Sequence, residues 1–177
     1  LRGKYPDEIS EKEAEKVGKA YGTFTDAEKV LVARDGREHG EKITEAFIKG
    51  IKSTGTDVAN AEMVPTPVAY HAQVEQQLES AAVVTASHNP PEYTGFKFCL
   101  ENALSMSREG GMKEIEQMYK DEEFETGEGE EHEIEVTQDY IQDVKKSIGS
   151  LKGLKVAVNC GNGVTGSLSL SFFSPLG

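Results

Sequence analysis

The chain has no tryptophan and only two cysteines, Cys99 and Cys160, sixty-one positions apart. They form no C-x-x-C pair and no four-ligand zinc pattern, so a reducing compartment is expected. No apolar run approaches the length of a membrane span. Nor is there a charged-then-apolar leader pattern, since Leu1-Arg2-Gly3-Lys4-Tyr5-Pro6 runs directly into polar sequence. A cytoplasmic location without a membrane partner is the expectation. Basic residues are also scarce, with 19 Lys plus Arg against 31 Asp plus Glu and a formal charge of -12. Most of the surface would repel a polyanion, which argues against nucleic acid as a partner.

What is present is ordinary globular material. At 177 residues and 37% hydrophobic content, the chain can build one full domain with a remainder. Its acidity is local. Between Asp121 and Glu135 there are nine acids and no Lys or Arg, which accounts for nine of the twelve net negative charges. Such a run reads as a solvated linker or surface loop.

Patterning along the chain alternates. Ser10 and Glu13 make a capping-box pattern, and Ala14, Val17, Ala20 and Tyr21 predict a helix over about 10–21. Lys29 to Ala33 reads as a buried strand that ends at the polar run Arg34-Asp35-Gly36-Arg37. Ile43, Ala46, Phe47, Gly50 and Ile51 fall on one helical face, with Gly55 as a stop, and Asp57 to Val64 reads as the next strand. In Pro65-Thr66-Pro67, Thr66 is expected to cap a helix carried on by Val68, His71, Ala72, Val74 and Leu78. Ala81 to Ala86 reads as a central strand halted by Ser87-His88-Asn89-Pro90-Pro91. Gly95 to Phe98 is extended, and Ser107 to Lys120 is a helix weakened by Gly110 and Gly111. Beyond the acidic run, Tyr140, Ile141, Val144 and Ile148 predict a helix, Lys155 to Val158 a strand, and Gly161-Asn162-Gly163 a tight turn. Together these elements predict an α/β fold: a three-layer α/β/α sandwich with a mostly parallel mixed sheet, followed by the start of a second similar domain.

Ligands of such sheets gather at the C-terminal ends of the strands. The loop Thr85-Ala86-Ser87-His88-Asn89-Pro90-Pro91-Glu92-Tyr93-Thr94-Gly95-Phe96-Lys97 sits at such an end and holds a hydroxyl, an imidazole and an amide side by side. In most Ser-x-Asn-Pro loops such residues simply end the strand and make turn hydrogen bonds, and composition alone favours that reading of Ser87 and Asn89. A serine hydrolase fits badly, because the context is not G-x-S-x-G and the ring of an adjacent His88 is not naturally aimed at the serine hydroxyl. The remaining nucleophilic reading is phosphoryl carriage on the serine oxygen.

This loop resembles the phosphoserine loop of the α-D-phosphohexomutases, particularly the bifunctional phosphomannomutase/phosphoglucomutase group. Collinear segments share the resemblance: Arg2-Gly3, Ala33-Arg34-Asp35-Gly36-Arg37, Val64-Pro65-Thr66-Pro67, and Val158-Asn159-Cys160-Gly161-Asn162-Gly163-Val164. It implies an intramolecular phosphotransferase that interconverts hexose 1-phosphate and hexose 6-phosphate, on mannose or glucose phosphate, through a 1,6-bisphosphate. By the same resemblance Ser87 carries the phosphoryl group and contributes to Mg2+, His88 supports it, Lys97 is a general acid/base, and Arg2 lies near the same centre. Lys97 between two phenylalanines could be partly desolvated, or could sit on the solvent side of a strand.

Arg34, Asp35 and Arg37 read as an ion-paired structural loop and not as a phosphate clamp. His39, His71 and His132 show no metal-ligand spacing with one another. The resemblance divides the chain into a first domain over 1–137 and the incomplete start of a second over 138–177. It departs from the family at Thr94 and Asn159, and it lacks the family's metal and substrate-phosphate loops, so the chain alone is expected to be inactive. A truncated, non-catalytic α/β module that acts in binding or regulation is the alternative.

Overall fold

The first helix is set by its own sequence. In the computed structural model, which describes residues 1–148 and 153–173, Ser10 caps α1 (Glu11–Thr25) by accepting from the Lys12 amide, and Glu13 reaches back to the Ser10 amide. The helix runs four residues past Tyr21 and stops where Asp26 turns left-handed at φ 46°. Helix α2 (Gly40–Lys52) buries Ile43, Phe47, Ile48 and Ile51. The two helices cross with unusual closeness. A Cβ on Gly18 would lie 2.1 Å from the Phe47 carbonyl, and one on Gly50 would lie 2.1 Å from that of Glu15. Glycine at both positions is therefore required by contact between the two backbones.

The seven-stranded sheet has the order β1-β5-β4-β2-β3-β7. Its parallel part is β4 (Ala81–Val84), β2 (Lys29–Arg34), β3 (Asp57–Met63) and β7 (Glu131–Glu133). Strand β5 (Tyr93–Leu100) runs antiparallel to β4 and carries β1 (Arg2–Lys4) and the short β6 (Leu104–Ser105), both antiparallel to it. Alternate residues face opposite layers. Val30, Val32, Val58, Ala82, Val84, Phe96 and Phe98 pack with Tyr21 and Phe47 beneath α1 and α2. Leu31, Ala33, Ala61, Ala81, Val83 and Cys99 face α3 (Thr66–Glu75) through Val68, Ala69 and Ala72. Burial of each large side chain contributes about 1.5–3 kcal/mol, and the two-sided burial explains the near-continuous apolar runs of β2 and β4.

Several expectations are corrected. The cap of α3 is Pro65 and makes no side-chain bond, while Thr66 is already helical. The helix expected over 107–120 is split, with a π-type turn at Arg108–Met112 followed by α4 (Lys113–Asp121), because Gly110 and Gly111 depart from helical geometry. The acidic run is not merely a solvated loop. The Gly127 and Gly129 amides donate to the Ser53 and Lys52 carbonyls, and the Glu130 amide donates to Asp57. This places exposed β7 against β3, where charged side chains blunt further edge pairing.

Past the sheet, α5 (Thr137–Ile148) buries Ile141, and its Tyr140 packs with Val136 on the α3 layer. The strand expected over 155–158 does not form. Val156 and Val158 remain 53% and 50% exposed, because a strand needs a partner and none of the described strands pairs with them. The turn at 161–163 does form, with Gly161 left-handed at φ 53°, and leads into α6 (Thr165–Phe173).

Candidate active site

Strands β2, β3 and β4 are parallel, so their C-terminal ends open on one side, where the chain leaves them through 35–39, 64–66 and 85–92. Between these loops and 162–164 lies a cleft of about 850 Å³ lined by Ser87, His88, Lys97, Arg37, Tyr5 and Thr66, among others.

Ser87 is the first residue after β4 with a positive φ. Its φ is 58°, a left-handed conformation that costs a non-glycine residue about 1–3 kcal/mol. Hydrogen bonds at its amide and its carbonyl hold it there. Its amide donates to Thr85 Oγ1 at 2.9 Å, and Thr85 Oγ1 donates to Asp35 Oδ2 at 2.6 Å. Asp35 also accepts from Arg37, at 3.1 Å from its amide and 3.2 Å from Nε. The far end of that guanidinium donates to four loop carbonyls: Ser87 at 3.1 Å, Asn89 at 2.8 Å, Pro90 at 2.7 Å and Tyr93 at 3.0 Å. The Arg37 side chain is only 12% exposed, which strengthens these charge-assisted bonds. The Asp35–Arg37 pairing is the ion-paired loop that the sequence suggests, but its main role is to fix the neighbouring serine loop. Arg34 does not join it and lines a separate cleft.

The left-handed turn has a second consequence. Ser87 Oγ lies 3.0 Å from His88 Nδ1, so the expectation that adjacency keeps the ring away from the hydroxyl is corrected. Among the described residues no carboxylate hydrogen-bonds His88, and the third member of a hydrolase triad is missing. Lys97, on β5 opposite Val83, points away from buried Phe96 and Phe98 and is half-buried at the cleft. Arg2 comes in because β1 pairs with β5 at Gly95, where a Cβ would lie 2.2 Å from the Leu1 carbonyl. The Arg2 guanidinium reaches Asn89 Oδ1 at 3.4 Å and stays exposed outside the cleft lining. His39 meets the Tyr93 carbonyl at 3.2 Å and stacks on Tyr5. The Tyr5 hydroxyl donates to Glu11, which raises its pKa.

The fold, the serine loop and the collinear polar loops all find counterparts among known proteins. The family model described as phosphoglucomutase/phosphomannomutase, alpha/beta/alpha domain I, matches residues 1–126. The chain belongs to this family. A phosphomannomutase/phosphoglucomutase of Pseudomonas aeruginosa is 30% identical over all of this chain and 38% of its own length. A phosphoglucosamine mutase of Clostridium botulinum is 36% identical over all of this chain and 42% of its own. A crystal structure of a phosphoglucomutase/phosphomannomutase family protein from Burkholderia thailandensis superposes with a TM-score of 0.90 at 33% identity, covering 99% of this chain and 40% of that one. The chain thus spans about two fifths of the length of these relatives.

For a domain I of the phosphoglucomutase/phosphomannomutase family, Ser87, His88 and Lys97 meet at one cleft and Arg2 reaches its rim. Sequence reasoning missed the structural reach of Arg37 and the parts of Thr85, Tyr5 and His39. The Arg-Asp-Gly-Arg run was a visible signal, but the carbonyls it serves lie about fifty residues away.

Proposed function

We propose that this chain is the phosphoserine-bearing part of a phosphohexomutase, with Ser87 as phosphoryl carrier between the 1- and 6-positions of a hexose phosphate. The observation that carries this reading is the Ser87 hydroxyl held in a left-handed turn at the strand ends, beside His88 and at a cleft of about 850 Å³. The relatives' names fit a hexose phosphate substrate in general, whether mannose, glucose or glucosamine phosphate. Over the domain division proposed here, 1–137 forms the first domain and 138–177 opens the second, and the whole enzyme works in the cytoplasm.

In the first half-reaction a sugar hydroxyl attacks phosphorus, the bond from phosphorus to Ser87 Oγ breaks, and the electron pair returns to that oxygen. His88 Nδ1, 3.0 Å from Oγ, is placed to supply it with a proton. Lys97, half-buried on the cleft wall, takes the proton of the attacking hydroxyl, and in the return step the roles reverse. Arg2 carries a permanent charge near Asn89 and draws phosphate oxygens to the loop. The loop carbonyls of Ser87, Asn89, Pro90 and Tyr93 are occupied by Arg37, so they do not oppose an incoming phosphate.

Mg2+ prefers carboxylate and phosphate oxygens. Asp35 is already engaged by Arg37 and Thr85, so the donor this chain offers at the serine is an oxygen of the Ser87 phosphate. Bound there, the ion would neutralise phosphate charge, with the Ser87 phosphate as the ligand this loop would offer. The test is peptide mass analysis of full-length enzyme purified without phosphatase, which should find phosphate on Ser87. Unchanged mutase turnover in the Ser87→Ala enzyme would refute the proposal.

A further inference from the structure

On the sheet face opposite α1 and α2, helices α3 and α5 bring together three side chains that take no part in the serine site. His71 and Glu75 lie one turn apart on α3, and Asp143 comes from α5, seventy-two positions from His71. Their ligand atoms all lie within 4.8 Å of one another, the one such group of three among the described residues. Sequence spacing could not reveal it, because the third member comes from another helix.

The three are arranged as ligands and supports. His71 Nε2 lies 3.1 Å from Asp143 Oδ2, and the other carboxylate oxygen accepts from Lys146 at 2.8 Å, which fixes the orientation of Oδ2 toward the ring. Tyr140 meets the imidazole edge-on, with centroids 5.5 Å apart. Partners that orient the ligands raise the affinity of a metal site. The side chains are 21% exposed at His71 and 42% at Asp143, and Glu75 is exposed, so an ion and completing waters can enter. One imidazole and two carboxylates select a borderline divalent ion such as Zn2+ or Co2+ over Mg2+ or Ca2+, which favour all-oxygen sets.

We infer that His71, Glu75 and Asp143 form a binding site for a divalent transition-metal ion that staples α5 to α3. A small closure suffices: Nε2 exchanges its hydrogen bond for a metal bond, and the ring proton, if it lies on that nitrogen, moves to Nδ1. The site is separate from Ser87, so the inference does not depend on phosphoryl transfer. It is tested on the chain after chelator treatment, by calorimetric titration with Zn2+ and by visible absorption on titration with Co2+.

One equivalent should bind saturably, with ligand-field absorption from Co2+ and slower amide exchange in α5. His71→Ala and Glu75→Gln should each weaken binding at least about tenfold, whereas Ser87→Ala should leave it unchanged. Circular dichroism establishes that each variant is folded, and Glu75, being exposed, is the variant least able to disturb packing. Absence of saturable binding would overturn the inference and leave a plain His71–Asp143 ion pair. Binding indifferent to both α3 variants, or abolished by Ser87→Ala, would overturn it equally.

Discussion

Arg37 donates from Nη2 to the Ser87 carbonyl at 3.1 Å, across fifty residues of sequence. With the same guanidinium bonded to Asn89, Pro90 and Tyr93 and to Asp35, one side chain sets the course of the whole serine loop. Arg37→Ala should therefore cut turnover of the full-length enzyme by about a hundredfold, the scale of a misplacement near 1 Å at a reacting group. Arg37→Lys should recover little, since an ammonium with three donors cannot serve four carbonyls and a carboxylate at once. Steady-state kinetics read both variants, and wild-type turnover in Arg37→Lys would show that charge alone suffices.

The left-handed backbone at Ser87 makes a second prediction, this time about stability. Glycine adopts φ 58° without steric cost, so Ser87→Gly should relieve strain of about 1 kcal/mol or more while removing the hydroxyl. In a chain of this size that corresponds to a rise in Tm of about 2–4 °C, with turnover lost. A thermal scan alongside an activity assay separates the two effects. A fall in Tm would mean that the side-chain bond to His88 outweighs the backbone strain.

Legibility in the sequence followed the range of the interactions. Helices α1 and α2 could be read because Ser10, Glu13, Ile43, Phe47 and Ile51 declare themselves within a few turns. Strand β4 was visible because its four residues are buried on both faces. Elements defined by distant partners were not. Arg2 to Lys4 becomes a strand only through Tyr93 to Gly95, and the charged triplet Glu131-His132-Glu133 only through Val58 to Asn60. Conversely, 155–158 has the composition of a strand, and none of the described strands lies beside it. Of the site, Ser87, His88 and Lys97 were legible from one continuous loop, while the contacts that hold the loop are contributed from elsewhere in the chain.

The crossing of α1 and α2 predicts a cost for the smallest possible change. Alanine at Gly18 or Gly50 would put a Cβ 2.1 Å from a main-chain carbonyl of the partner helix, an atom that cannot rotate aside. The helices must separate, and overpacking of this kind costs about 1–3 kcal/mol despite the gain in helix propensity. Urea denaturation should show the lower midpoint, and a stabilised variant would contradict the close crossing.

The two cysteines should differ sharply in reactivity, and for different reasons. Cys99 is fully buried on the α3 face of β5, and burial pushes its thiol pKa up, against the hydrogen bond from Tyr70; that phenol is itself raised to about 12. Cys160 is partly exposed, its sulfur lies 3.4 Å from Ser169 Oγ, and hydrogen bonds from Ser169 and Thr165 lower its pKa. Because the thiolate is the reacting form, raising the pH toward the alkaline range should speed labelling of Cys160 first. Iodoacetamide should thus add a single label to the native chain, mapped by peptide mass to Cys160, and a second only after denaturation in urea. Equal labelling of Cys99 in the folded chain would mean that β5 opens away from α3, and with it the wall that carries Lys97 to the cleft.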